Sequence, residues 1–307
     1  HSGDGSINSE NNIKDLLSRI FIFYSLLSFI IFLLLNISDV RMFNSLNLSM
    51  SLVSAGGFIP TNSLNMIIYS NPQKIIFIFS LLISMLNFFL ILNIFEKKII
   101  IREHKEDFYL LFISLIFILL VYLNNFSGLN IIISVLSTLS NSGLALIKSD
   151  NNLSLYFILL AALGGSLISN TSGIKFTRVY ILLKTAYSEI IKLISPNSIT
   201  NKNLFNSEKK ITDENIKISF LIFISFFINL FILSGILIFD SIDFEKSFKL
   251  SILTITNTTN SPMFGIGEIN FSNLLTTSKL SLIIFMIIGK IELISVFLII
   301  KNFFFKD

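Results

Sequence analysis

Three short runs have residue types suited to ion chemistry without any acidic side chain: "SAGGF" (54–58), "NSGLA" (141–145) and "TTNSP" (258–262). Each follows a short, weakly apolar stretch: "MFNSLNLSMSLV" (42–53), "LNIIISVLSTLS" (129–140) and "SFKLSILTITN" (247–257). A turn rich in Gly, Ser and Asn can aim consecutive carbonyl oxygens inward, because glycine tolerates backbone angles that other residues avoid. Such oxygens can replace the water shell of a dehydrated potassium ion. Any one of these turns alone reads as an ordinary outer loop. Three at matched positions point instead to an internal repeat and a pore-loop channel or transporter. The candidate filter residues are Ser54, Ala55, Gly56 and Gly57, then Asn141, Ser142 and Gly143, and finally Asn260 and Ser261.

A fourth polar run, "LGGSLISNTSGIKFTR" (163–178), interrupts an apolar segment about twice the length of a span. Its small residues Gly164, Gly165, Ser166, Ser169, Ser172 and Gly173 can line a wet cavity, and non-helical backbone at membrane depth needs such surroundings. Lys175 and Arg178 have two readings: inner-boundary anchors that snorkel to headgroups, or, for Lys175, an ammonium below the filter that competes with the ion. Lys290 lies about ten residues from either end of an apolar run, where charge is costly and faces a cavity, so it is read as a pore-lining cation. An enzyme is disfavoured: the chain has no Cys, only His1 and His104, no paired acids in its apolar runs and no phosphate-binding glycine motif. No cofactor is expected, and potassium enters only as the transported ion.

The elements that must hold these residues are membrane spans. Of 307 residues 53% are hydrophobic and 14% charged, and mean hydropathy is +0.79, more apolar surface than a soluble domain can hide. Five runs are near the ~20 residues that cross a hydrocarbon core: 16–37, 74–95, 108–126, 216–239 and 280–300; the interrupted 153–193 is a sixth. Charged linkers at the N-terminal stretch, 96–107 and 195–217 alternate with semi-polar ones, which places the charged set in the cytoplasm. The net charge of +4 then follows from topology and asks for no nucleic acid. The polar opening "HSGDGSINSE" is read as a flexible linker or a cut edge. The expected class is an all-α polytopic membrane protein of repeated span–pore helix–span units. Its segments are 1–15 (polar), 16–96, 97–194 with the break at 164–174, the cytoplasmic linker 195–217, and 218–307.

At these turns the chain resembles the TrkH-type membrane subunits of the Trk/Ktr/HKT potassium transporter superfamily. Gly164, Gly165, Thr171, Gly173, Lys175 and Arg178 fit the family's glycine-rich interruption of the third repeat's last helix; Gly265, Gly267, Glu268, Lys279, Gly289 and Glu292 fit its fourth-repeat ending. The resemblance makes Gly57 and Gly143 filter glycines, 164–174 a gate loop that moves aside for ions, and this chain three of an expected four repeats. Ser261 stands where the family has glycine, Leu144 where it has Phe, and Lys290 where it has arginine. The resemblance further implies potassium uptake across a bacterial plasma (inner) membrane, a homodimer in the lipid bilayer, and a cytoplasmic nucleotide-binding regulatory subunit. The alternatives are a broken-helix secondary transporter for another cation and a non-conducting truncated remnant.

Overall fold

A computed structural model describes residues 4–61, 63–95, 104–123, 128–146, 151–195, 203–206, 210–258, 262–266 and 271–291. Among these the chain is helical, with no strand beyond one isolated bridge between Asn203 and Lys210. The helices are α1 (Asp4–Ile37), α2 (Met42–Val53), α3 (Asn71–Met85), α4 (Phe88–Phe95), α5 (Lys105–Tyr122), α6 (Leu129–Leu139), α7 (Asn151–Leu163), α8 (Phe176–Ile194), α9 (Asp213–Phe239), α10 (Phe244–Ile255) and α11 (Thr276–Ile291). The all-α class expected from the sequence is what the chain adopts.

A helix, a short helix, a turn and a further helix recur as α1–α2–α3, α5–α6–α7 and α9–α10–α11. Each short helix packs on the helix before it, while α3 lies against α6 and α7 against α10, so the three sets interlock in chain order. The core is the interior these short helices fill: Leu48 and Leu52 of α2, Ile133 and Val135 of α6, and Leu250 and Leu253 of α10 are fully buried. Many serines survive in these apolar helices because their hydroxyls bond back one turn, as Ser80 does to the Phe77 carbonyl (2.8 Å) and Ser134 to the Asn130 carbonyl (2.9 Å).

Two sequence expectations change. The polar opening is not extended linker throughout: α1 begins at Asp4, since no proline stops a long apolar helix from propagating back into it. The span expected over 74–95 is broken between α3 and α4, which meet at 113°. The break has local causes. Asn87 Oδ1 accepts from the Phe89 amide (2.9 Å) and so caps a new helix, while the Asn87 amide itself donates to Asp107 Oδ1 (2.8 Å). The Met85 carbonyl, which should accept from residue 89, accepts instead from the Ser166 amide (3.0 Å). With α7 and α8 also separated, two helices among the described residues are long and apolar enough to cross a membrane, Leu17–Ile37 and Asp213–Phe239, and a third if the bent pair is one span.

Two helical glycines in these sets face opposite circumstances. A Cβ on Gly289 of α11 would lie 1.9 Å from the Ile255 carbonyl oxygen, so α11 reaches the end of α10 only because that side chain is absent. A Cβ on Gly235 of α9 would meet nothing within 4 Å. Gly289→Ala is therefore expected to destabilise by about 3 kcal/mol. Gly235→Ala is expected to stabilise by about 0.5–1 kcal/mol. Thermal unfolding of the purified full-length protein in detergent compares the two directly.

Candidate functional site

The three short helices end in the same way, bond for bond. After α2, Ala55 N donates to Leu52 O (3.1 Å) and Gly56 N to Ser51 O (2.8 Å). After α6, Asn141 N donates to Thr138 O (3.1 Å) and Ser142 N to Ser137 O (3.1 Å); after α10, Asn257 N donates to Thr254 O (3.0 Å) and Thr258 N to Leu253 O (2.8 Å). This is the Schellman pattern, in which a left-handed residue closes the helix and satisfies its last carbonyls. The left-handed residues are Ala55 (φ 50°), Asn141 (φ 54°) and Asn257 (φ 59°). Two residues further on, Gly57 (φ 71°) and Gly143 (φ 64°) are left-handed again.

The turns pack edge to edge. A Cβ on Gly57 would lie 2.3 Å from the Ser142 carbonyl oxygen, and one on Gly143 3.2 Å from Cα of Thr258. The first turn therefore abuts the second and the second the third. A helix C-terminus carries roughly half a negative elementary charge. Three of them converge here, so the region favours a cation without a carboxylate in it.

The break between α7 and α8, residues 164–175, lies directly behind the turns and is tied to all three sets. Asn170 Nδ2 donates to the Val53 carbonyl (2.8 Å), which also accepts from Tyr24 Oη (2.8 Å). Asn141 Nδ2 donates to the Ala161 carbonyl at the end of α7 (2.8 Å). Asn257 Nδ2 donates to Ser172 Oγ (3.2 Å) and to the Met286 carbonyl of α11 (3.1 Å). Gly164 (φ 68°) fits because a Cβ there would lie 2.4 Å from the Ser172 carbonyl oxygen, and one on Gly165 would lie 2.6 Å from that of Met85. Within the break, the Gly165 amide donates to Thr171 Oγ1 (3.0 Å) and Ser169 Oγ to the Ser166 carbonyl (2.7 Å).

The two lysines do different things. Lys175, only 2% exposed, folds its ammonium back into its own loop, donating to Thr171 O (2.6 Å), Ser169 O (3.0 Å) and Thr171 Oγ1 (3.2 Å). With these bonds Lys175 closes the loop on itself. Lys290 instead bridges, donating to Ser54 O (2.7 Å), Ala55 O (3.4 Å) and Asn170 O (2.7 Å). It thereby joins α11, the first turn and the break. Arg178 is buried and helps line a cavity of about 480 Å³ between α1, α4 and the break, together with Tyr24, Phe88, Ile168 and Asn170.

Of the filter candidates, Ser54 to Gly57 and Asn141 to Gly143 come together as one surface, while Asn260 and Ser261 fall outside the described residues. The third turn starts earlier than the sequence suggested. The short helix runs 244–255 rather than 247–257, so Asn257, not Asn260, stands in register with Ala55 and Asn141. Asn257, Thr258 and Asn170 were missed. The signal that could have found them is an asparagine two residues past a short helix, or within a polar break, where apolar surroundings oblige its amide to find a partner.

The comparisons bear on this geometry. No family model matches the chain. It is 27% identical to an uncharacterized cation transporter of Methanocaldococcus jannaschii, over 94% of this chain and 59% of that protein. It is also 27% identical to the Trk system potassium uptake protein TrkG of Escherichia coli, over 96% of this chain and 63% of that one. The crystal structure of the potassium transporter TrkH from Vibrio parahaemolyticus superposes with a TM-score of 0.85 at 17% identity, covering 95% of this chain and 65% of that one. The chain therefore has the fold of TrkH. The resemblance seen in its glycine-rich turns extends over nearly all of its length, and the chain is a membrane protein. It spans about three fifths of the curated relatives it matches.

The bridging role of Lys290 in this TrkH-type fold is open to test. Lys290→Met keeps the stem and removes three carbonyl contacts, two of them at 2.7 Å. Loss of charged hydrogen bonds of this kind costs about 2 kcal/mol. The melting temperature should fall, and amide exchange over 164–175 should quicken while exchange in α9 stays unchanged.

Proposed function

We propose that this chain forms the cation path of a monovalent-cation uptake protein, with potassium as the ion. The filter is formed by the carbonyls of turns 54–57 and 141–143 and of the third turn from Thr256 onward; the gate is the 164–175 break. The observation that carries this reading is the threefold repetition of one helix ending, with all three negative ends and no described carboxylate at the same place. Lys290 supports it: a cationic group already sits against the Ser54, Ala55 and Asn170 carbonyls. An ammonium there raises a barrier to a second cation, which suits a gated path. The relatives named for potassium and cation transport point the same way.

Uptake of this kind needs no nucleotide in the chain, because a membrane potential supplies about 2.3 kcal/mol per charge per 100 mV. The working protein is proposed to be a homodimer in a bacterial plasma membrane, regulated by a separate cytoplasmic nucleotide-binding subunit. A broken-helix transporter coupled to a second ion is the competing class, and the bent α3–α4 pair is the feature that favours it.

Rubidium flux into liposomes holding the full-length protein separates these readings. A potential-driven flux that needs no ion gradient of a second species is expected. Gly143→Ala should lower it at least tenfold, because its φ of 64° and its contact with Thr258 both oppose a Cβ. No rubidium flux from correctly folded protein overturns the path, and flux that stops without a proton or sodium gradient favours the coupled class.

A further inference from the structure

The first turn of α5 carries two carboxylates that neither the filter nor the gate reading uses. Glu106 Oε1 accepts from the amide of Leu167, inside the break between α7 and α8 (2.7 Å). Asp107 Oδ1 accepts from the amide of Asn87, inside the break between α3 and α4 (2.8 Å). The two breaks are also bonded to each other, Ser166 N to Met85 O (3.0 Å) and Phe88 N to Ile168 O (2.9 Å). Adjacent residues of one helix thus hold both broken helices at their meeting point. We propose that Glu106 and Asp107 act as a proton-operated latch on the loop: while protonated the pair stays in place, Asp107 buried and Glu106 half-buried, and pins Leu167 and Asn87, and when ionised it is drawn toward water and lets them go. This rests on the reading of 164–175 as the gate.

The surroundings fit such a device. Asp107 is 1% exposed; its Oδ2 makes no hydrogen bond and lies 3.6 Å from Nδ1 of His104, which is itself buried. Among the described residues, the ionisable groups facing Asp107 and Glu106 are His104, the other carboxylate of the pair, and Lys175 from the loop. Lys105 stands next to them in the chain. The other polar neighbours are Asn87 from the joint between α3 and α4, Ser166 from the break and Thr177 from α8, none of them ionisable, while Asn93 of α4 bonds His104. Burial pushes both carboxyl groups above their usual range, Asp107 to about 6, against the pull of the amides they accept. A protonated acid can still accept through its other oxygen, so the amide contacts survive protonation.

The sign follows from linkage. The latched state binds the Asp107 proton more tightly than a hydrated carboxylate, whose value is 3.8, so a falling pH favours the latched state. The advantage is complete below about pH 4 and is lost as the pH rises through about 6. Between those limits the latched-to-released ratio changes by up to about tenfold per pH unit.

Two measurements on the full-length protein test this. The first is hydrogen exchange over 164–175 and around Asn87, expressed as protection factors from pH 4.5 to 7.5. The wild type should lose about tenfold protection across the window, and Asp107→Asn should stay protected throughout. Glu106→Gln should narrow the change and serves where Asp107→Asn does not fold. Flat protection in the wild type, or an Asp107→Asn profile that follows the wild type, overturns the latch. The second is rubidium flux at internal pH 5 and 7.5, expected to be higher at 7.5 and insensitive to pH in Asp107→Asn. If protection follows pH but no cation crosses at either pH, the latch stands and the transport reading falls. If cations cross but their flux ignores a pH-dependent loop, the latch stands and the reading of 164–175 as the gate falls.

Discussion

A helix that stops inside an apolar slab leaves its last carbonyls with no amide to receive, and no water is there to stand in. Each such orphan costs several kcal/mol in hydrocarbon. That constraint shapes everything around the three short helices. Their ends curl back through Ala55, Asn141 and Asn257 so that the last amides meet their own carbonyls. An alanine in the left-handed region costs about 1 kcal/mol, less than an unsatisfied carbonyl, and asparagine costs less still. The second left-handed step, at Gly57 and Gly143, then lets neighbouring turns touch backbone to backbone.

The same constraint explains why the break at 164–175 is so densely bonded. Between its two ends the break has no run of helical hydrogen bonds, and its backbone groups find partners in the Lys175 ammonium, in Thr171 Oγ1, in the Ala162 carbonyl and in the carbonyl left over at Met85. Lysine suits the task because its three donors on a flexible stem reach several carbonyls at once. The bend between α3 and α4 belongs to this scheme: one broken helix supplies the amides and carbonyls that the other lacks. Two interruptions brought together leave fewer orphans than either would alone.

Much of this was legible in the sequence, and the rest fails to show for a physical reason. The short helices α2 and α6 were placed within a residue of their ends because apolarity stops abruptly at Ser54 and Ser140. The break after Leu163 announced itself through three glycines and a buried lysine. The end of the third short helix falls two residues late, since "TITNTTNSP" stays equally polar across the true end at Ile255. The α3–α4 bend was invisible because "SMLNFF" keeps its apolar run. Only the contacts of Asn87 with Asp107 and Phe89, one of them twenty residues away, turn the chain. Periodicity reports which faces are apolar; it does not report which amides are spoken for.

On the gate reading, the density of bonding sets how the loop can move. Besides its bonds to the flanking α7 and α8, at least six hydrogen bonds join it to the other elements: Ser166 to Met85, Ile168 to Phe88, Leu167 to Glu106, Asn170 to Val53 and to Lys290, and Ser172 to Asn257. At about 1 kcal/mol net for each, full release costs about 6 kcal/mol, and the released loop is populated on the order of once in ten thousand molecules. Thermal motion alone therefore keeps such a loop in place. A trigger must act on several of these bonds together, and their arrangement shows where it can: three anchors lie at the turns and at α11, and three at the joint between the broken helices, counting Glu106 of α5. A force that straightens the α3–α4 bend would withdraw Met85 O and Phe88 N in one movement, whereas a change at the turns must break each contact separately. The joint is thus the economical point of control, through contacts separate from the turns where an ion would bind.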